Sequence, residues 1–374
     1  MRNETVIQQA SATWGADSGG ISTDIERIGL ITRLQFVAEI VPSATLTGAF
    51  QPDGLNRIVQ NIQLLGGRQN YFNLPADDGC QGGTLLHQLN VLDGLGYGHT
   101  NGAIAAPKRL FTAMSFILHA GARPRGLFGK DNPFDLTGAV PAAGESQLKA
   151  VWTTSGNDVL DDTVTVSSAV GRYIINRVVG YPDEIRAEMS AQGVALPAGA
   201  TLMTPQWVSK VAANSATSAS FGAVTDDVIT GGWLKRITLL AQDATADRPV
   251  RASDEVTSIR IFSPSSGGEV LFESTVEGIQ AGLNGEDQSE ADQGADDFQT
   301  SVPNGVYPID LRIRPNGGGA QNRDYGWDMR RMKNGDVQLT YIITTQASGD
   351  DRLLLFERYQ ESDRDLAELL NVQR

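Results

Sequence analysis

Three histidines, one cysteine and a set of paired acids are the residues of this chain with the best claim to chemistry. His87, His99 and His119 show no metal-ligand spacing, and H-E-x-x-H, C-x-x-C and P-loop motifs are all missing. His87 and His119 fall in apparent strands, where a hydrogen-bonded histidine is the simpler reading. Cys80 is the only cysteine, so no internal disulfide forms, and in a loop it reads as incidental rather than as a nucleophile. A G-x-S-x-G elbow is absent, as is the strand–helix alternation in which it works. Gly66-Gly67, Gly82-Gly83 and Gly317-Gly318-Gly319 precede no helix start, so they read as turns with positive φ rather than phosphate cradles.

The acids offer more. Asp77-Asp78, Asp161-Asp162, Asp226-Asp227, Asp296-Asp297 and Asp350-Asp351 all fall in predicted loops. Solvated turns are one reading, and calcium held by carboxylate oxygens is the other. The densest group is Glu286, Asp287, Glu290, Asp292, Asp296 and Asp297, without the regular alternation of a calcium loop. Asp287, Glu290, Asp292, Asp296 and Asp297 are the weak calcium candidates. Paired carboxylates for glycoside hydrolysis have material to draw on. Sugar sites also need exposed aromatics, however, and Trp14, Trp152, Trp207, Trp233 and Trp327 are scattered in a chain with 7% aromatic residues. No catalytic residue and no cofactor other than calcium is expected.

The 374 residues allow two domains of ordinary size, and 40% hydrophobic with 20% charged residues is a globular composition. A net charge of −14 argues against broad nucleic-acid binding, which needs a basic surface. The first residues lack the apolar core of a secretory signal, and no window approaches the ~18 apolar residues of a spanning helix. Synthesis in a cytoplasm, in soluble form, is the expectation.

The elements that would carry these residues are mainly strands. Residues 1–24 read as an arm, with a short helix over Glu4–Ala12. Ile28, Leu30, Leu34, Phe36 and Ile40 fall on one face of a strand, opposite Arg33, Gln35 and Glu39, the period of a half-buried antiparallel strand. Further strands are predicted at Arg57–Leu65, Thr84–Leu92, Leu110–His119, Gln147–Thr153 and Thr163–Val170. The second half offers Trp233–Gln242, Glu255–Phe262, Glu269–Ser274, Val306–Arg314, Asp336–Thr345 and Arg352–Tyr359. Residues 183–189 read as a helix inside a linker. Ser362 with Asp365 caps a final helix carrying Leu366, Leu369 and Leu370.

Two of these strands are alike. Gly29-Leu30-Ile31-Thr32-Arg33-Leu34 reads against Gly232-Trp233-Leu234-Lys235-Arg236-Ile237. Val59–Leu65 likewise resembles Val256–Phe262, each followed by a Gly-Gly pair and then Tyr71-Phe72 or Leu271-Phe272. Similar elements in the same order about two hundred residues apart indicate duplication of a whole β domain. Six to eight strands per half is the size of a β-sandwich.

The chain resembles the double jelly-roll major capsid proteins of tailless icosahedral viruses, especially membrane-containing bacteriophages. Asp135-Leu136-Thr137-Gly138-Ala139-Val140 before Gln147–Val151 looks like a long loop and strand of the first jelly roll. Pro303-Asn304-Gly305-Val306-Tyr307, Gly335–Leu339 and Arg352–Glu357 look like closing strands of the second. The order holds over roughly residues 25 to 360, whereas residues 181–220 and the acidic loop 282–297 match no feature of that family.

The resemblance implies an all-β protein of two tandem eight-stranded jelly rolls, with short helices in the arm, linker and C-terminus. The expected division is an arm (1–24), a first jelly roll (25–180), a linker with a helical insertion (181–230), a second jelly roll (231–360) and a terminal helix (361–374). It implies no enzyme but a structural protein of the virion capsid. That protein forms homotrimers of pseudo-hexameric outline that tile an icosahedral shell. Its partners are itself, neighbouring capsomers, penton and minor capsid proteins, and an internal viral membrane near the arm. Arg2, Ile7 and Trp14 in the arm, with Leu366, Leu369 and Leu370, are the expected assembly contacts. The alternatives are a carbohydrate-active hydrolase on two sandwiches and a calcium-dependent surface-binding protein.

Overall fold

A computed structural model describes residues 2–13, 20–42, 59–74, 110–117, 136, 138–154, 166–191, 201–211, 222–243, 250–251, 256–279, 306–311, 326–343 and 350–365. Eight strands come first: β1 (Arg2–Thr13), β2 (Gly20–Asp24), β3 (Leu30–Pro42), β4 (Val59–Gly66), β5 (Asn70–Leu74), β6 (Leu110–Ile117), β7 (Leu148–Thr154) and β8 (Val166–Val179). Helix α1 (Pro182–Ala191) follows. The remaining strands are β9 (Thr201–Val211), β10 (Gly222–Asp227), β11 (Trp233–Asp243), β12 (Val250–Arg251), β13 (Val256–Ser263) and β14 (Glu269–Thr275). After them come β15 (Val306–Asp310), β16 (Trp327–Asp328), β17 (Gln338–Ile343) and β18 (Asp350–Asp365).

The chain divides into two compact units. Unit 1 holds Met1–Ala76, Gln81–Gln206 and Gln360–Arg374, and unit 2 holds Asp77–Cys80 and Trp207–Tyr359. The first eight strands form two four-stranded orders, β1-β8-β3-β6 and β2-β7-β4-β5. The later strands repeat them as β9-β18-β11-β15 and β10-β17-β13-β14, with β12 and β16 added along β11. Each set of eight has the strand order of a jelly roll, in which two four-stranded sheets face each other over one core.

The core of unit 1 shows how the sequence makes this sandwich. Phe36 of β3, Trp152 of β7 and Tyr173 of β8 are almost fully buried. The Phe36 and Trp152 rings stack at 4.0 Å, and Tyr173 lies 5.5 Å from Phe36. These side chains come from both sheets, so the stack ties one to the other. In unit 2 the corresponding space is filled mainly by aliphatic chains, including Ile237, Ile259, Leu339 and Leu354, with Tyr307, Tyr341 and Phe356.

The duplication is visible in backbone detail. Gly29 and Gly232 both take positive φ, at 66° and 73°, and launch β3 and β11. In the pairing of β3 with β8 the register shifts between Ile31 and Arg33, and in that of β11 with β18 it shifts between Leu234 and Arg236. Those are matching positions of the sequence repeat. Opposite them, Arg33 faces Asn176 and Arg236 faces Glu357, two residues before Val178 and Tyr359 in turn. The β4–β5 and β13–β14 hairpins also match, with one register shift each, next to Phe72 and Phe272.

Several expectations need correction. Glu4–Ala12 is not helical: β1 runs straight through it, antiparallel to β8, because pairing to a neighbour overrides weak local preference. The expected final helix does not begin at Ser362, since Ser362 and Asp365 belong to β18, while 366–374 lies outside the described residues. Thr201–Val211 and Gly222–Asp227 are strands where a linker was expected. Pro205 hides the first of these, because a residue without an N–H argues against a strand. Ile28 is 37% exposed, lying ahead of Gly29 and outside the strand whose face it was expected to share. Asp226-Asp227 and Asp350-Asp351 lie in β10 and β18 rather than in loops. Finally, Gly66 and Gly67 do not take the expected positive φ, although Gly267 and Gly268 at the matching turn do, and Gly82, Gly83 and Gly317–Gly319 lie outside the described residues. Helix α1 does span the expected 183–189, with Asp183 and Glu184 in its first turn and Ile185 and Met189 buried.

Candidate functional site

Polar chemistry inside the described residues is concentrated at a few buried ion pairs. Glu357 of β18 is fully buried. Its carboxylate accepts from Arg236 Nε at 2.5 Å and from Lys235 Nζ at 3.1 Å. Arg236 and Glu357 stand directly opposite in the ladder, so the strand register itself brings them together. The neighbouring Arg358 donates to the carbonyl oxygens of Thr230 and Gly231, and burial lowers its pKa.

The counterpart in unit 1 is wired differently. Arg177, which precedes Val178 as Arg358 precedes Tyr359, is 7% exposed and pairs with Glu4 at 2.9 Å and Glu26 at 2.8 Å. Glu4 also meets Arg2. The hydrogen bond from Arg177, helped by Arg2, holds the Glu4 carboxyl below its ordinary pKa of 4.5. This pair pins β1 to β8 through side chains as well as backbone. A third site is Glu145, buried at 3% exposure, which accepts from the Gly67 N–H at 2.8 Å and from the Tyr71 hydroxyl at 2.7 Å. It fixes the β4–β5 turn to the segment before β7.

These arrangements have the form of braces. Each buried carboxylate is held by cations or by fixed donors, the condition under which a buried charge is tolerated. Catalytic acid–base work asks instead for two titratable groups with pKa values pushed apart around a cleft. Among the described residues no group of three or more His, Cys, Asp or Glu side chains is arranged to hold a metal ion.

Of the expected contact residues, Arg2 and Ile7 both lie on β1, and Ile7 is 68% exposed. Trp14, Leu366, Leu369 and Leu370 lie outside the described residues, as do Asp287, Glu290, Asp292, Asp296, Asp297, Cys80 and the three histidines. The structure adds a surface that sequence reasoning missed. Strand β14 ends its sheet and presents Val270 and Leu271 at 41% and 39% exposure. The signal available was Val270-Leu271-Phe272, three consecutive apolar residues in a strand whose other residues are polar.

No family model and no curated protein matches this chain. Solved structures do. The crystal structure of the STIV MCP aligns over 96% of this chain and 97% of its own, at 15% identity and a TM-score of 0.66. The atomic structure of Sulfolobus Turreted Icosahedral Virus aligns over 98% and 96%, at 13% identity and 0.65. The major capsid protein P2 of bacteriophage PM2 aligns over 97% and 99%, at 10% identity and 0.53. At such identities the likeness is one of fold, and it spans both units: this chain has the double jelly-roll fold of those capsid proteins.

Proposed function

We propose that this protein is the major building block of an icosahedral virus shell. The observation that carries the reading is the doubled jelly roll, repeated down to register shift and launching glycine. Proteins that share the fold over nearly their whole length are described as capsid proteins. Three copies of a chain with two near-equivalent units present six near-equivalent sides, the outline that tiles a hexagonal lattice. Trimer interfaces of permanent type bury ~2,000–5,000 Å². The partners are then the chain itself, neighbouring capsomers, the proteins that close the fivefold vertices, minor capsid proteins and, near the N-terminus, an internal membrane. Synthesis takes place in the host cytoplasm before assembly into the capsid. No reaction is assigned, and the buried ion pairs act as braces that hold the sheets in register.

Sedimentation of the purified chain, followed by electron microscopy at raised concentration, tests the proposal. A stable species of three times 40.0 kDa that packs into hexagonal sheets or shells is the expected result. A stable monomer that cleaves glycans, or one whose melting shifts with calcium and that binds cell surfaces, overturns it.

A further inference from the structure

Among the described residues β1 and β14 each end a strand order, and the fold contains a template for joining them. In unit 1 the order β2-β7-β4-β5 continues into β9, whose residues Thr201–Gln206 belong to the same unit. Gln69 Nε2 donates to Thr204 Oγ1 at 3.2 Å, and Thr204 Oγ1 donates to the Gln360 carbonyl oxygen. Strand β5 is sealed accordingly: Tyr71, Phe72 and Leu74 have no exposed surface. The matching order in unit 2, β10-β17-β13-β14, stops at β14, and no described strand lies beyond it. Strand β14 uses the same register on its hairpin partner as β5 does, yet it is open along its length.

The missing neighbour has a counterpart too. Strand β9 leads the order β9-β18-β11-β15, and β1 leads β1-β8-β3-β6. Among the described residues β1 is paired along one edge only, to β8, and Ile7 stands on it largely exposed. Neither β1 nor β14 contains Lys or Pro, residues that commonly guard a free strand edge against pairing.

We propose that β14 of one copy takes β1 of a second copy as its next strand, as β5 takes the first half of β9. The inference rests on the shell-building reading above and names the surface through which it acts. Main-chain hydrogen bonds along the added strand supply the join, and Val270 and Leu271 lose their exposure to it. The two edges differ, so the contact is head to tail. Such contacts generate a ring when the rotation closes. Closure at three copies gives six joints of one kind, three made within chains and three between them.

Engineered cysteines in the full-length protein test the pairing. With Cys80→Ser as background, Leu271→Cys is combined in turn with Val6→Cys, Ile7→Cys and Gln8→Cys, and oxidised gently. At least one pair is expected to yield disulfide-linked species of two and three chains, which no single variant gives. A trimer by sedimentation with no such linkage overturns this inference and leaves the shell-building reading standing. A monomeric wild type overturns both. As a second measurement, Val270→Lys with Leu271→Lys is expected to move the sedimenting species from three chains to one with an unchanged circular dichroism spectrum. A folded variant that remains trimeric also overturns the pairing.

Discussion

The two jelly rolls share a backbone plan and differ in almost everything attached to it. Both launch a long strand from a positive-φ glycine, both shift register at the next arginine, and both continue into a hairpin of matching register. Unit 1 joins its sheets through a stack of Phe36, Trp152 and Tyr173, whereas unit 2 relies chiefly on branched aliphatic chains. At the matched ladder position unit 2 buries Arg236 against Glu357, where unit 1 has Arg33 against Asn176. Even the two Gly-Gly turns use glycine for different reasons. A Cβ on Gly67 would sit 2.0 Å from Ser146 Oγ, so that turn needs space, while Gly267 has open space and needs its φ of 73°. The lesson is that hydrogen-bond registry is inherited, and packing is renegotiated around it.

Substitutions that separate inherited plan from renegotiated packing sharpen this contrast. The largest effect is expected for Trp152→Ala, which removes the centre of the unit 1 stack and should cost about 3–5 kcal/mol in denaturant unfolding. Glu357→Gln should cost a similar amount, about 3–5 kcal/mol, because it leaves the buried Arg236 charge, and the part-buried Lys235, without their carboxylate. Asn176→Ala, at the matched position of unit 1, should cost far less. Equal losses at the two positions would mean that the ladder site, and not the buried charge, sets the cost.

Glycine substitutions probe the shared plan. An alanine at Gly29 would place its Cβ 2.2 Å from the Val178 carbonyl oxygen, in addition to the positive-φ strain. At Gly267 only the strain applies, about 1–2 kcal/mol. Gly29→Ala should therefore lower the melting temperature well beyond Gly267→Ala, and the reverse ranking would remove Gly29 from the plan.

The smallest effect concerns pH. Glu4 has a folded-state pKa below its unfolded value, so its contribution is present above that unfolded value and is lost as pH falls through the folded one. Protection of the β1 amides, corrected for intrinsic exchange, should fall on acidification below the ordinary carboxyl value of 4.5, and Glu4→Gln should abolish that extra loss. Identical exchange in both proteins would show that the backbone ladder alone holds β1.

Much of this architecture is legible in the residues themselves. Alternation exposes β3 and β17, and the paired Gly-x-x-x-Arg openings at Gly29 and Gly232 point to duplication. Strand β1 is not legible, because Glu4, Gln8 and Gln9 favour helix locally and only β8 supplies a reason to extend. Strand β9 is concealed by Pro205. Short strands such as β2 and β5 carry too few residues for a period to register. The braces are hidden for a different reason: Glu357 pairs with Arg236 across 121 residues and Arg177 with Glu4 across 173, distances that only folding closes. The apolar run in β14 is in plain view, but its meaning depends on knowing that the matched strand β5 is covered.

The central claim is that tandem copies of one jelly roll let a threefold particle imitate a sixfold one. Cryo-electron microscopy of the purified protein viewed down the particle axis measures this directly. The account predicts a threefold average whose outline carries strong sixfold modulation, with six similar lobes, two from each chain. A particle of any other symmetry, or a threefold one with three lobes of unlike shape, would contradict it.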